Sequence, residues 1–397
     1  MTTERGFDSI EPLTNGESTA LDRAVELAAR GAGTVLPNPV VGCVVLAVDG
    51  QQVGEGFHQR PGGPHAEIIA LQAAGDRAAG GTAVVTLEPC NHTGRTGPCT
   101  EALLTAGVAR VLVGHRDQWP PAAGGIERLL AAGLEVVDLS GSTVAAAARA
   151  VNRVWLTASE RQRPYVTVKA GMTMDGRVAA ADGSSRWITS AASRADVHRW
   201  RSRVDVMMAG IGTVLTDDPQ LTARPTDGEP VVRQPLRVVV DSGGRTPSAA
   251  RVLDDAAETM IATATDFGDG SGRVDLHSLL ATLYRQGRRH VLLEGGPQLV
   301  AGMLDADLVD EVLLYLAPIL LGAGRSVVDG AATATLSDAH RFELQEVQRF
   351  GPDVRLRWTR PDLHGPGTTT APDDDRSGQR RRRMTTDPDD DGTGGRR

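Results

Sequence analysis

Apolar and polar positions along this chain switch repeatedly between helical and strand spacing. Residues 21–30 carry apolar side chains at helical intervals. Residues 40–48 form a β-branched run ending at Asp49-Gly50, a hairpin signal, and residues 52–57 read as the returning strand. Residues 65–74 predict a helix, 82–87 a strand, and 99–106 a helix closed by Gly107. A strand at 108–113, a helix at 125–132 and a strand at 134–137 complete the series. This β-β-α-β-α-β order predicts an α/β sheet with helices packed on it.

A second α/β series follows the polar stretch Arg161-Gln162-Arg163-Pro164. Residues 165–169, 204–209, 236–240, 259–264 and 290–293 read as strands, with two more at 311–316 and 354–359. Ser190 is a suitable N-cap for a helix reaching Ser202, and Gln298 begins another. No internal repeat is evident. The pattern divides the chain into a flexible N-terminus (1–16), a first domain (17–160), a second domain (161–362) and a tail (363–397). Beyond residue 364 the only apolar side chains other than proline are Ala371 and Met384, set among blocks of Asp and Arg. Such a segment cannot offset its ordering entropy, so disorder is expected.

A length of 397 residues suits two domains. Aromatics make up only 3%, so the core must be built mainly from Ala, Val and Leu. The net charge of −8 argues against a general nucleic-acid binder. Three cysteines, Cys43, Cys90 and Cys99, do not make a secreted disulfide framework. The first residues lack a signal peptide's apolar core, and the most apolar stretch, 312–321, is too short to span a bilayer. A soluble, cytoplasmic protein is expected, with no nucleic-acid or membrane partner; homo-oligomerisation stays open.

The sharpest local pattern is His65-Ala66-Glu67, then Glu88-Pro89-Cys90, then Cys99. One imidazole and two thiolates suit zinc and leave a fourth tetrahedral position for water, whose pKa zinc lowers to about 7. Helix N-termini at His65 and Cys99 would favour thiolates over thiols. Glu67 stands two residues from the ligand histidine, where it can shuttle protons without binding metal. His-x-Glu with a later Pro-Cys is the signature of zinc deaminases, although eight residues separate the cysteines here where nucleobase enzymes have two. A structural zinc closed by His92 is the alternative. Cys43 lies in an apolar run and reads as core.

The ten-residue segment from Cys90 to Cys99, together with Pro37-Asn38-Pro39-Val40-Val41-Gly42 and Gly54-Glu55-Gly56-Phe57-His58, resembles the deaminase half of the bifunctional riboflavin-biosynthesis deaminase–reductases. The resemblance covers most of residues 20–120 and implies a cytidine-deaminase-like three-layer fold. It implies that Asn38, His58, His92 and Arg95 hold a phosphoribosylaminopyrimidine, with Arg95 at its phosphate. The family carries two prolines before the last cysteine, where this chain has Gly97-Pro98.

The second half carries Lys169 to Gly176, Trp187-Ile188-Thr189, Asp217-Asp218-Pro219 and Glu294-Gly295-Gly296-Pro297 in order. No Gly-x-Gly-x-x-Gly fingerprint follows a strand, so a Rossmann site is not supported. Arg194, His198 and Arg201 share one face of the helix at 190–202. Over residues 164–360 these elements resemble the reductase half of the same family, which implies a dihydrofolate-reductase-like fold and NADPH as hydride donor. By that resemblance Gly171, Trp187, Thr213, Asp217 and Ser242 contact NADP, as does the turn of Gly296, Pro297, Gln298, Leu299, Val300, Ala301 and Gly302. Ser185, Arg201, Leu221, Arg224 and Glu294 would contact the substrate. Lys169 and Asp175 would order its ribose end, although Asp175 before Gly176 reads equally as a turn residue.

The resemblance implies zinc-dependent loss of the 2-amino group of 2,5-diamino-6-(5-phosphoribosylamino)pyrimidin-4(3H)-one, then reduction of the ribosyl group to ribityl. A nucleoside or tRNA deaminase fused to a reductase-like domain, a live deaminase with a degenerate reductase, and a zinc- and nucleotide-binding module without turnover stay open as rivals.

Overall fold

The computed structural model describes residues 13–361, except 94–96, 226–230, 232, 331, 332 and 334. The tail expected to be disordered, residues 1–12 and Arg95 lie outside the described residues. The first helix starts six residues earlier than its apolar spacing suggests, α1 running Asn15–Ala29. A capping box accounts for this: Thr14 Oγ1 accepts from Glu17 N while Glu17 Oε2 accepts from Thr14 N. Residues 14–16 are therefore the cap and first turn of α1, which corrects the expectation of a flexible segment there.

The first sheet follows from β1 (Gly42–Leu46), β2 (Gln52–Phe57), β3 (Thr82–Val85), β4 (Arg110–Val113) and β5 (Glu135–Asp138). Their order is β2-β1-β3-β4-β5, antiparallel among the first three and parallel among the last three. Helices α2 (Ala66–Ala74), α3 (Cys99–Thr105) and α4 (Gly125–Ala131) cover one face, where Ala66, Ala70, Leu103, Ile126 and Leu129 meet Val45, Val85 and Val111. On the other face α1 and α5 (Ala146–Val151) bring Leu21, Ala24, Leu27 and Ala148 against Val44, Val84 and Leu112. The result is the three-layer arrangement that the chemical motifs implied.

A further helix, α6 (Arg153–Arg161), leads into the second sheet. Neither α5 nor α6 is among the expected helices: α5 has six residues, too few to show a period, and α6 has nine, of which Trp155, Leu156 and Ala158 are the buried apolar ones. The polar stretch after α6 is not a free linker. Arg161 and Arg163 both pair with buried Asp310, at 2.9 and 2.6 Å, and Asp310 also accepts from Val166 N.

The second half runs β6 (Tyr165–Thr173), β7 (Arg177–Ala179), α7 (Ala191–Arg201), β8 (Val206–Gly210), α8 (Ile211–Asp217), β9 (Leu236–Val240) and β10 (Thr259–Ala262). It continues with α9 (Ala264–Phe267), α10 (Leu276–Arg285), β11 (His290–Glu294), α11 (Pro297–Asp305), β12 (Glu311–Ala317), β13 (Arg325–Ser326), β14 (Glu343–Phe350) and β15 (Asp353–Thr359). Eight strands form one sheet in the order β10-β9-β8-β11-β6-β12-β15-β14, parallel through β12 and antiparallel beyond; β7 and β13 pair separately. Helices α10 and α11 pack Leu279, Leu283, Val300 and Met303 on one face. Helices α7 and α8 cover the other, as Ile211, Val214 and the partly buried Trp200 meet Met207, Val239 and Leu292. Strand β14 escaped the sequence pattern because its side chains are mostly exposed on both faces.

His290 is buried at the start of β11, its Nε2 2.9 Å from Thr167 Oγ1, and burial pulls its pKa down to about 4. Between pH 6.5 and 4 the unfolded chain binds a proton there that the folded chain refuses, so stability falls as pH drops through that window. His290→Gln is expected to remove this share, about 3 kcal/mol by the size of the shift. Urea unfolding at pH 7 and pH 4.5 measures it: the difference between the two midpoints should shrink in the variant.

Candidate active sites

Close backbone contact places the N-terminal site. A Cβ at Gly54 would lie 2.1 Å from Ala70 O, and one at Gly56 2.6 Å from Ala66 O, so α2 rests directly on β2. His65 is the N-cap of α2, and Glu67 in its first turn is 3% exposed. Cys99 opens α3, and its N–H points at Cys90 Sγ, 3.5 Å away. His65 Nδ1 lies 3.2 Å from Cys99 Sγ and 3.5 Å from Cys90 Sγ.

These three atoms converge within 4.8 Å of one another. Tetrahedral zinc with ordinary Zn–N and Zn–S lengths needs an N–S separation of about 3.6 Å, so the donor set fits the ion. His92 is not among the converging atoms: it meets Trp119 edge-on at 6.0 Å. The donor set therefore remains three, with no fourth protein ligand among the described residues, as a catalytic rather than a structural centre requires.

The electrostatics agree. A hydrogen bond from Cys99 pulls the Cys90 thiol down to about 4 against the cost of burial, with His65 assisting. That same bond, together with burial, pushes the Cys99 thiol up. The cluster thus holds negative charge on sulfur, which a divalent cation would neutralise. Burial, with the Cys90 charge nearby, raises Glu67 to about 7, and its Oε2 has no hydrogen-bond partner among the described residues. Cys43 is fully buried, as a core residue should be.

Asn38 Nδ2 donates to His58 Nε2 at 3.1 Å, and His58 Nδ1 donates to Pro64 O at 3.0 Å. The His58 ring meets that of His65 edge-on at 5.4 Å. Two of the expected pyrimidine contacts therefore stand together beside the metal ligands.

Glu88, which sequence reasoning left without a role, is the fastening behind Cys90. Its carboxylate accepts from Gly124 N, Ile126 N and Asp117 N, at 3.0–3.1 Å. A Cβ at Gly125 would lie 1.9 Å from Pro89 O, so α4 presses directly on the ligand loop. Asp117 in turn accepts from Trp119 N and Trp155 Nε1. An acid beside a metal-ligating cysteine was the available signal for Glu88; nothing local marks Asp117 or Trp155.

The second site lies at the carboxyl ends of parallel strands, where open α/β sheets bind ligands. Lys169 on β6 and Glu294 on β11 are register partners. Arg201 of α7 grips Glu294 with two N–H groups, at 2.7 and 2.8 Å, and donates a third to Thr222 O. Lys169 Nζ stands 3.5 Å from the same carboxylate. Burial works against this charge, yet Arg201 and Lys169 overcome it and hold Glu294 at about 2. Burial and the charges of Arg201 and exposed Arg224 keep His198 neutral, at about 4. Leu221 is buried beside Thr222 in a left-handed conformation, φ 52°.

Gly295 and Gly296 both have positive φ, and a Cβ on Gly295 would lie 2.8 Å from Thr213 Oγ1. This cradle opens onto the N-terminus of α11, starting at Pro297, whose backbone N–H groups suit a phosphate. Gln298 and Leu299 lie in the first turn, Val300 and Ala301 face the core, and Gly302 lies past the middle of the helix. Gly171 abuts Thr189, while exposed Trp187 lies under the Arg194 guanidinium at 4.4 Å. Ser185 is half-buried in the turn before it. Ser242 Oγ accepts from Val274 N, and the Asp217 carbonyl accepts from Arg186. Asp175 spends its oxygens on Thr173 Oγ1, Leu321 N and Gly322 N, which is the turn role the sequence also allowed.

Residues 15–115 match the family model described as the cytidine and deoxycytidylate deaminase zinc-binding region, and residues 164–356 match the RibD C-terminal domain. The chain is 43% identical over 339 residues to the riboflavin biosynthesis protein RibD of Mycobacterium tuberculosis, covering 85% of this chain and 95% of that one. The chain belongs to the RibD family. The Escherichia coli RibD is 40% identical over 358 residues, covering 84% of this chain and 96% of that one. The structure of Acinetobacter baumannii RibD aligns with TM-score 0.78 and 38% identity over 87% of this chain and 99% of that one. A Thermotoga maritima protein described as a diaminohydroxyphosphoribosylaminopyrimidine deaminase/5-amino-6-(5-phosphoribosylamino)uracil reductase aligns with TM-score 0.76 and 33% identity over the same shares. Both RibD domains are thus present, and the two folds are those the motifs implied.

Glu88→Ala would leave three backbone donors without their acceptor, at about 1–3 kcal/mol for each that stays buried. Thermal unfolding should show a loss of at least about 3 kcal/mol. Zinc affinity, followed by chelator competition, should fall with it, whereas an unchanged affinity would show that Cys90 is held by other means.

Proposed function

We propose that this chain performs two consecutive reactions of riboflavin synthesis, at two separate sites. It is a bifunctional enzyme, a zinc-dependent deaminase in its N-terminal half and an NADPH-dependent reductase in its C-terminal half. The convergence of His65, Cys90 and Cys99 beside a buried, unpaired Glu67 oxygen carries the first assignment.

The first substrate is 2,5-diamino-6-(5-phosphoribosylamino)pyrimidin-4(3H)-one, held by Asn38, His58 and His92, with Arg95 at its phosphate. Zinc, when bound, supplies Lewis acidity that makes water a nucleophile near neutral pH. Glu67 takes a proton from the attacking water and delivers it to the departing 2-amino nitrogen, so water is consumed, a ring carbonyl forms and ammonia leaves. Burial beside the metal ligands favours a Glu67 that can both accept and release a proton.

The second site reduces the ribosyl group of the deaminated product to ribityl. NADPH supplies the hydride and solvent the balancing proton. Its phosphates lie at the Gly295–Gly296 cradle and the first turn of α11 (Pro297, Gln298, Leu299), while Val300, Ala301 and Gly302 support the helix from behind. Its remaining contacts are at Gly171, Trp187, Thr213, Asp217 and Ser242. Lys169, Ser185, Leu221 and Glu294 orient the opened sugar, while Arg201 and Arg224 serve its phosphate. Arg201 and Lys169 on the buried Glu294, with the Arg224 charge felt at neighbouring His198, support an anionic substrate despite a net charge of −8. The surroundings of Asp175 favour a clamp on the Leu321–Gly322 turn over a substrate contact. The chain works in the cytoplasm on small phosphorylated pyrimidines, without nucleic acid or membrane; no helix among the described residues is long and apolar enough to cross a bilayer.

Self-association completes the reading. On one face of the second sheet Leu314, Leu356 and Val347 line up in register, as do Val312, Trp358 and Leu344. Val347 and Leu344 are 60% and 55% exposed, on edge strand β14. A second copy seated on this face would remove apolar side chains from water, together with the outer edge of β14, beside which no strand lies among the described residues.

Glu67→Gln should keep zinc yet lose ammonia release by about 100-fold or more, the scale of general acid–base catalysis. NADPH oxidation with the deaminated intermediate should persist in the same variant. Full ammonia release would defeat the role of Glu67, and absent NADPH oxidation in the unaltered chain would defeat the reductase assignment. Val347→Glu should shift light-scattering mass toward the single chain; a mass identical to that of the unaltered chain would remove this face from the interface.

A further inference from the structure

The connector between the two sheets reaches the N-terminal site through a residue that no motif marks. Asn152 joins α5 to α6 and is 2% exposed. Its Oδ1 accepts from Val40 N at 3.1 Å. Pro39 has no N–H, so Val40 supplies the first backbone donor after Asn38. Asn38 N donates to Val35 O at 2.9 Å on one side, so the acceptor of Val40 N fixes the other side of the Asn38-Pro39 segment, and Asn38 is the residue that donates to His58 Nε2.

The anchor itself is rigid. Helix α6 is tied to the first half by Trp155, whose Nε1 donates to Asp117 and whose ring meets Trp119 edge-on at 5.9 Å. It is tied to the second half by the Arg161–Asp310 pair and by Arg289, lying 5.6 Å from the Trp155 ring centroid. Asn152 Nδ2 is buried without a partner among the described residues, while the oxygen of the same amide serves the loop.

We propose that Asn152 is a positioning residue for the deamination: by holding Val40 N it sets Asn38 against His58 and so shapes the pyrimidine pocket. This inference rests on the deaminase reading above. It makes the connector part of the deaminase, although α6 is braced on the reductase half.

The test uses the full, zinc-loaded chain with Asn152→Ala and Asn152→Asp, measuring ammonia release and NADPH oxidation separately. Asn152→Ala is expected to raise the deamination KM about tenfold, the effect of one lost anchoring hydrogen bond. Its kcat, zinc content and reductase kinetics should stay near those of the unaltered chain. Asn152→Asp keeps an acceptor for Val40 N and should restore most of the KM. An unchanged KM in Asn152→Ala overturns the proposal. So does an Asn152→Asp no better than the alanine variant, or a parallel fall of both activities, which would mark a role in folding alone. If the unaltered chain released no ammonia, the deaminase reading itself would fall, a result distinct from all of these.

Discussion

The N-terminal site depends on how closely a helix can lie on a sheet. A chain with 3% aromatics and many alanines builds thin layers, and Gly54 and Gly56 of β2 let α2 descend until backbones touch. That depth buries Glu67 and brings His65 level with the two cysteines. A side chain on either glycine would lift the helix, and the imidazole would leave the sulfurs. The metal centre is thus a consequence of packing as much as of ligand chemistry.

Three buried acids then take different roles from their surroundings. Glu88 accepts three backbone N–H groups and serves as a fixed strut. Glu294 is gripped by Arg201 and Lys169, which hold it ionised. Glu67 has neither kind of partner for its Oε2, so burial lifts it to about 7 and leaves it able to exchange protons. The same functional group supplies a fastening, a counter-charge and a proton shuttle, according to the donors around it.

The connector shows that the two catalytic halves are not simply strung together. Asn152 and Trp155 face the deaminase loops, while Arg161 and Arg163 are locked on Asp310 of the second half. The helix that carries Asn152 toward the first site is thus held by contacts on both halves. The polar, proline-ended stretch at the expected domain boundary does not show these pairs, because paired arginines and solvated ones are identical in a sequence.

Much of this was legible from residue order. Strand β2 and strand β9 match their expected limits, since a β-branched or alternating run between turn residues leaves little choice of period. Helices α5 and α6, six and nine residues long, are too short to show a clear period, and strand β14 is exposed along most of its length, so tertiary contacts decide all three. His65, Glu67, Cys90 and Cys99 were recognisable because metal chemistry restricts residue types and spacing. Glu88 and Asn152 were not given their roles, since they hold backbone N–H groups far away in sequence, nor was Asp117, whose distant partner is the Trp155 indole. Sequence alone determined the chemistry, by fixing which ligands and charges exist. Tertiary structure decided which of them meet, because burial and long-range hydrogen bonds are properties of the folded chain.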